Sequence, residues 1–260
     1  MLISFKNDLE QSNYQRLKDL ANIFNPNDIK QSSDSDSVQY LECFHQSDII
    51  KNISNLQNKE TFEHSVIDLS KMINVNQYQI RTFFTEKDFQ YLIYGVRSPS
   101  TIVASLFLLL NLIRDEDLLK SFFDYIKENN FFFIGIIKDI LNYSDNQDCQ
   151  KISICLLGML SCLDEFRPLL IQYDILLTVN NLANKDDEMD SFISYFYKFI
   201  SEYSFNENTK VLFEIIFPII QNFCNHQNLE IVHNSLVAIC KLMQHSPLPY
   251  EAIISNSMLG

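Results

Sequence analysis

Glycine and proline are scarce in this sequence, 4 and 6 residues among 260. Hairpin turns need positive-φ glycine and fixed-φ proline, so the many chain reversals of a β-sandwich or barrel lack their turn chemistry here. The cysteines, Cys43, Cys149, Cys155, Cys162, Cys224 and Cys240, form no CxxC pair, and Met1–Glu10 contains no basic region followed by a long apolar run. Unpaired thiols without a leader predict a reduced, intracellular setting. The strongest apolar stretch, Ile102 to Ile113, is broken by Asn111. It falls short of the roughly 20 residues that span a bilayer, so a soluble chain with no membrane partner is expected.

Positive charge is also in deficit. Lys and Arg number 20 against 33 Asp and Glu, for a net charge of -13 and a pI near 4.7. A phosphate-binding face needs clustered Lys and Arg, so no nucleic-acid partner is expected, and a basic one would be attracted instead. Catalytic signatures are missing as well: the sequence has no Gly-rich phosphate loop, no HExxH and no GxSxG. The chain is therefore not expected to be an enzyme or to hold a cofactor. His226 and His233 stand seven apart without a third ligand at metal spacing, and no metal site is expected. Cys155 and Cys162, also seven apart, read as small buried packing residues. Asn52-Ile-Ser54 and Asn142-Tyr-Ser144 match the glycosylation acceptor, which has no meaning without a leader.

What the sequence does hold is helical periodicity. Leu2, Phe5, Leu9, Leu17, Leu20 and Phe24 recur at roughly helical spacing, predicting an amphipathic helix within residues 1–24. Residues 25–37, NPNDIKQSSDSDS, are polar, acidic and Ser-rich, and read as a linker. Ser33 and Ser35 beside Asp34 and Asp36 read first as solvating residues, with phosphate acceptance as the alternative. Residues 38–260 show no sustained two-residue alternation.

Within that region five segments share a pattern: HSVIDLSKMI, ASLFLLLNLI, SICLLGMLSC, FISYFYKFIS and SLVAICKLMQ. With Lys71, Asn111, Met159, Lys198 and Lys241 as equivalent points the spacings are 40, 48, 39 and 43. That range brackets the unit length of armadillo and HEAT repeats. Two shorter apolar segments follow each long one, such as FRPLLIQY and ILLTVNNLAN, or TKVLFEI and FPIIQNFC. Three helices per unit predict the armadillo type: an all-α, right-handed superhelical solenoid of about five repeats, the last incomplete because SPLPYEAIISNSMLG supplies only one helix. Pro99, Pro168, Pro218 and Pro247 fall at expected helix starts, where the missing amide costs nothing. The run Asp186, Asp187, Glu188, Asp190 opens a long helix and complements its dipole.

The order of segments from Ser47 to Gly260, carried by SDIIKNI, FRPLLIQYDILLTVNNL and VLFEIIFPIIQNFCNHQNLEIVHNSLVAICKLM, resembles importin alpha. The resemblance implies an adaptor for nuclear import, in cytoplasm and nucleus, that binds an extended basic peptide on its concave third-helix surface. In that family an aromatic residue and, four residues later, an Asn on the same helix face hold lysine side chains and peptide backbone. The corresponding pairs here are Phe107 with Asn111, Cys155 with Met159, Ser194 with Lys198, and Val237 with Lys241. Only the first keeps the aromatic and the amide, and the chain contains no Trp. Residues 1–37 hold only Lys6, Arg16, Lys18 and Lys30 as basic residues, which puts an importin-beta-type carrier in doubt. The alternative is an armadillo scaffold for a protein partner without that cargo.

Overall fold

The computed structural model describes residues 45–202 and 209–245. The expected N-terminal helix, the linker, Pro247 and the final helix all lie outside these residues. Contacts divide the chain into two compact units, 1–133 and 134–260. Every regular element among the described residues is helical. None of the helices there is long and apolar enough to cross a membrane.

The first unit contains α1 (Gln46–Asn55), α2 (Phe62–Phe83), a 3-10 turn at Glu86–Asp88, α3 (Phe89–Val96), α4 (Ile102–Leu112), α5 (Glu116–Glu128) and the first residues of α6 (Phe132–Tyr143). Helix α4 packs against α2 and α3 and is buried continuously from Ala104 to Ile113. Its lack of a polar stripe explains that burial, since a helix apolar on all sides is stable only when surrounded. Aromatic rings tie the later helices together: Phe84 to Phe89 at 5.2 Å, Phe89 to Phe122 at 4.9 Å, and Phe122 to Phe133 at 5.2 Å between centroids. Gly95 lets α3 approach α4, because a Cβ there would press into Ser105 Oγ and stand 3.0 Å from Phe62 Cζ. Asp115 caps α5, accepting from the backbone N–H groups of Asp117 and Leu118 at 3.1 and 3.2 Å.

The second unit holds the rest of α6, then α7 (Gln147–Leu160), α8 (Arg167–Gln172), α9 (Ile175–Asn180), α10 (Asp187–Ile200), α11 (Thr209–Phe223) and α12 (Leu229–His245). The long third helices pack in sequence, α7 against α10 and α10 against α12, with α11 behind α10 and α12. A part-buried polar bridge joins three elements: the Tyr197 hydroxyl donates to Asn180 Oδ1, and Asn180 Nδ2 donates to the Ile215 carbonyl at 2.8 Å. Burial of the Tyr197 phenol raises its pKa well above the usual tyrosine value.

Two expectations change. TKVLFEI and FPIIQNFC are not separate helices. They form the single helix α11, and Pro218 sits in its interior, with its side chain exposed. Pro218 offers no amide to the preceding turn, but its ring points to solvent and the buried flank of Leu212, Ile216 and Ile220 runs on past it. Tertiary packing outweighs the local cost. Pro168, in contrast, does stand in the first turn of α8. At the other end of the unit, α12 turns an apolar stripe outward: Leu229 is 82% and Leu236 48% exposed, where every residue from Leu106 to Ile113 is buried.

Candidate functional site

The third helices of the second unit are aligned by side chains at their N-terminal ends. Asp186 caps α10 through Oδ1, which accepts from the Met189 N–H at 2.8 Å, while its Oδ2 accepts from Gln147 Nε2 of α7 at 3.0 Å. Lys151 of α7, 3% exposed, places Nζ 2.7 Å from Glu188 of α10. Just ahead of α12, His226 lies 3.5 Å from Asp187 and 3.9 Å from Asp190. Its Nδ1 accepts from the Asn228 N–H at 3.0 Å, so the nitrogen facing the two carboxylates carries the proton. Asp190 is itself buried, and desolvation raises its pKa against the lowering effects of the Asn184 amide and His226. Halfway along, Asn234 Nδ2 of α12 donates to Ser194 Oγ of α10 at 3.3 Å. Ends and middles therefore match, and the three helices run parallel.

With that register, most of α7 and α10 is enclosed and a narrow strip remains on each, whereas α12 is open along the side of Leu229, His233, Leu236, Cys240 and Gln244. On α7, Cys155 alone among residues 149–160 is half-exposed. On α10 the strip consists of Tyr195 and Lys198, set between buried Ser194, Phe196, Tyr197 and Phe199. Lys198 Nζ stands 5.7 Å from the centroid of the Tyr195 ring, a cation-π contact. On α12, Val237 and Lys241 are half-exposed and Cys240 is exposed.

The eight residues singled out from the sequence thus separate. Cys155, Lys198, Val237 and Lys241 reach the surface of the strip, whereas Met159 is 5% and Ser194 1% exposed. Phe107 and Asn111 are enclosed in α4 at 3% and 6%. Asn111 Nδ2 donates back to the Phe107 carbonyl at 2.9 Å, and Arg81 closes the end of α4 by donating from Nε and Nη2 to the Asn111 carbonyl at 3.2 and 2.7 Å. Burial lowers the Arg81 pKa, with Asp115 opposing and Arg114 adding to the effect. In this arrangement Phe107 offers no ring face to a ligand.

The residue missed is Tyr195, one position beyond Ser194. A signal for it was present, since Glu188, Ser191, Tyr195, Lys198 and Glu202 follow a 3-4-3-4 spacing that marks the least apolar stripe of α10. No group of three or more potential metal ligands occurs among the described residues. A separate pocket in the first unit, about 360 Å³, is lined by Phe62, Tyr91, Tyr94, Lys59 and Glu63 and involves none of the expected residues.

No protein-family model matches the chain, and no curated protein sequence matches it. Solved structures do. A designed armadillo repeat protein in complex with the peptide (KR)4 superposes with a TM-score of 0.63 at 14% identity, over 75% of this chain and 81% of that one. A structure of computationally designed armadillo repeat proteins for modular peptide recognition gives 0.62 at 12% identity, over 82% and 93%. An engineered protein from a structural genomics consortium gives 0.63 at 13% identity, over 91% and 96%. At such identities the likeness establishes the fold: this is an all-helical armadillo-repeat solenoid.

Proposed function

We propose that the chain is a binding scaffold that takes up an extended segment of a partner protein across the third-helix strip of α7, α10 and α12. The observation that carries this reading is the strip itself. Three parallel helices, locked at their N-terminal ends, leave one line of half-exposed aromatic, cationic and small apolar side chains, set between enclosed neighbours on α7 and α10 and beside the open side of α12. Such a line is narrow enough to follow an extended backbone and rigid enough to bind it without a large ordering cost. Among the similar structures, a designed armadillo protein holds a peptide, which supports the same use of the fold here.

The narrower reading, an import adaptor of importin-alpha type, fits the strip less well. Lys198 and Lys241 occupy positions where a lysine-rich cargo would need neutral amides, and like charges at such sites repel. A strip that is apolar and basic favours the scaffold.

Selection of peptides of about twelve residues from a random library on the full chain tests the proposal, followed by titration of the winners against Tyr195→Ala. Selected peptides should lose roughly tenfold in affinity, as for a central aromatic contact worth over 1 kcal/mol, with the helical circular dichroism unchanged. If no peptide is selected, or if the winners bind Y195A as well as the parent, the strip is not the binding surface.

A further inference from the structure

We infer that the segment bound on this strip is acidic at the point where it crosses from α10 to α12; the inference rests on the peptide-binding reading above and names the chemistry of its partner.

The bond between Ser194 and Asn234 fixes the register of the two helices. From it, Lys198 lies about 6 Å further along α10 and Lys241 about 10 Å further along α12, at 1.5 Å per residue. Both therefore lie past the bond in the same direction. Ser194 lies on the flank of α10 turned to α12, and Lys198 is displaced from it by one turn. Asn234 lies on the flank of α12 turned to α10, and Lys241 follows it at i+7. The two lysines thus stand on either side of one seam.

Their charges are not matched by the protein. Neither Lys198 nor Lys241 has a carboxylate partner among the described residues. Lys198 stands over the Tyr195 ring, which orients the ammonium without neutralising it. Lys151, the other lysine on these third helices, is in contrast held by Glu188 at 2.7 Å. In a chain carrying 33 acidic residues and a net charge of -13, two neighbouring cations without a carboxylate are an uncommon arrangement. Glu230 opens α12, away from the pair, and Glu202 follows Lys198 by one turn on the same stripe, but neither lysine forms an ion pair with either carboxylate.

A carboxylate placed over the seam would relieve the repulsion between the two ammonium groups and accept from both. Tyr195 and Val237 on either side offer apolar surface to the residues that flank it. The occupant is thus an extended segment with an acidic residue between apolar ones, spaced so that alternate side chains face the strip.

Three labelled peptides of about eight residues, alternating Glu-Leu, Gln-Leu and Lys-Leu, are titrated against the full chain and against K198E/K241E at low ionic strength. The Glu-Leu peptide should bind most tightly and lose about tenfold on the double charge reversal, while the Gln-Leu peptide changes less than about twofold. Equal binding of Glu-Leu and Gln-Leu would overturn the acidic preference while leaving the peptide-binding reading intact. Tightest binding of Lys-Leu would overturn it in favour of a basic cargo. Failure of all three to bind the parent chain would overturn both readings. Both lysines are half-exposed, and the circular dichroism of the double variant checks that it remains folded.

Discussion

Asn234 Nδ2 on α12 donates to Ser194 Oγ on α10 at 3.3 Å, with the two residues 3% and 1% exposed. Ser194 in turn donates to the Ser191 carbonyl at 2.9 Å, so its hydroxyl acts as donor within its own helix and as acceptor between helices. The contact joins these neighbouring third helices near their midpoints by a side-chain hydrogen bond. It does what a hydrophobic contact cannot, which is to favour one axial register over its neighbours.

Replacing Asn234 with Ala leaves the buried Ser194 acceptor without its partner and opens a small void. A loss of about 1–3 kcal/mol in urea unfolding is expected, as for a buried polar group left unmet. A double replacement, Asn234→Ala with Ser194→Ala, should cost little more than the single one, because the orphaned acceptor is then gone.

Phe107 and Tyr195 separate core from surface. Phe107→Ala should destabilise by roughly 3–5 kcal/mol, the range for truncating an enclosed aromatic side chain. Tyr195→Ala, on the half-exposed strip, should change stability by about 1 kcal/mol or less. Similar costs in thermal unfolding would contradict the burial of α4.

Gly95→Ala should be destabilising by about 1–3 kcal/mol through overpacking, since the new methyl meets Ser105 Oγ and Phe62. The Ser105 hydroxyl is buried without a hydrogen-bond partner, so removing it costs no bond. Much of the G95A penalty should therefore return in the G95A/S105A double variant. If S105A gives no relief, the approach of α3 to α4 is not as close as described.

Asp190 gives a pH signature. Burial raises its pKa in the folded state, so between the ordinary value of 3.8 and that raised value the folded chain holds the proton more tightly than the unfolded one. Stability from this group is then greatest below pH 3.8 and falls as pH rises through the window. Asp190→Asn removes the titration while keeping an acceptor for the Asn184 N–H. The difference in unfolding free energy should shift in favour of D190N as pH rises above about 4, and a shift the other way would mean that His226 outweighs burial.

The helices themselves were legible in the sequence. Each long segment carries its own 3.6-residue period, and starts such as Asn146 and Asp186 carry side chains that cap the first turn. These are local causes, acting within a few residues, and a single chain displays them. Pro218 shows the limit of that reasoning. A local rule places it at a helix start, but packing of the α11 flank carries the helix past it.

The recurrence of the long segments every 39 to 48 residues gave the repeat; of the two shorter helices expected after each long one, both follow α4 and α7, whereas among the described residues α11 alone follows α10. The periodicity could not say which residue of a stripe faces outward. A third helix is packed on two sides and behind, so its own pattern leaves its rotation uncertain by about 100°, the angle between consecutive residues. That uncertainty is the difference between Ser194, which is enclosed against α12, and Tyr195, which is not. For Phe107 it was decided by the neighbours: α2 and α3 cover α4, and Arg81 seals its last turn at the Asn111 carbonyl. The sequence by itself determined where the chain is helical and that its helices repeat, because propensity, caps and period act along the chain. Only the tertiary structure decided which few side chains remain outside, because that depends on the surfaces of other helices brought against them from far along the sequence.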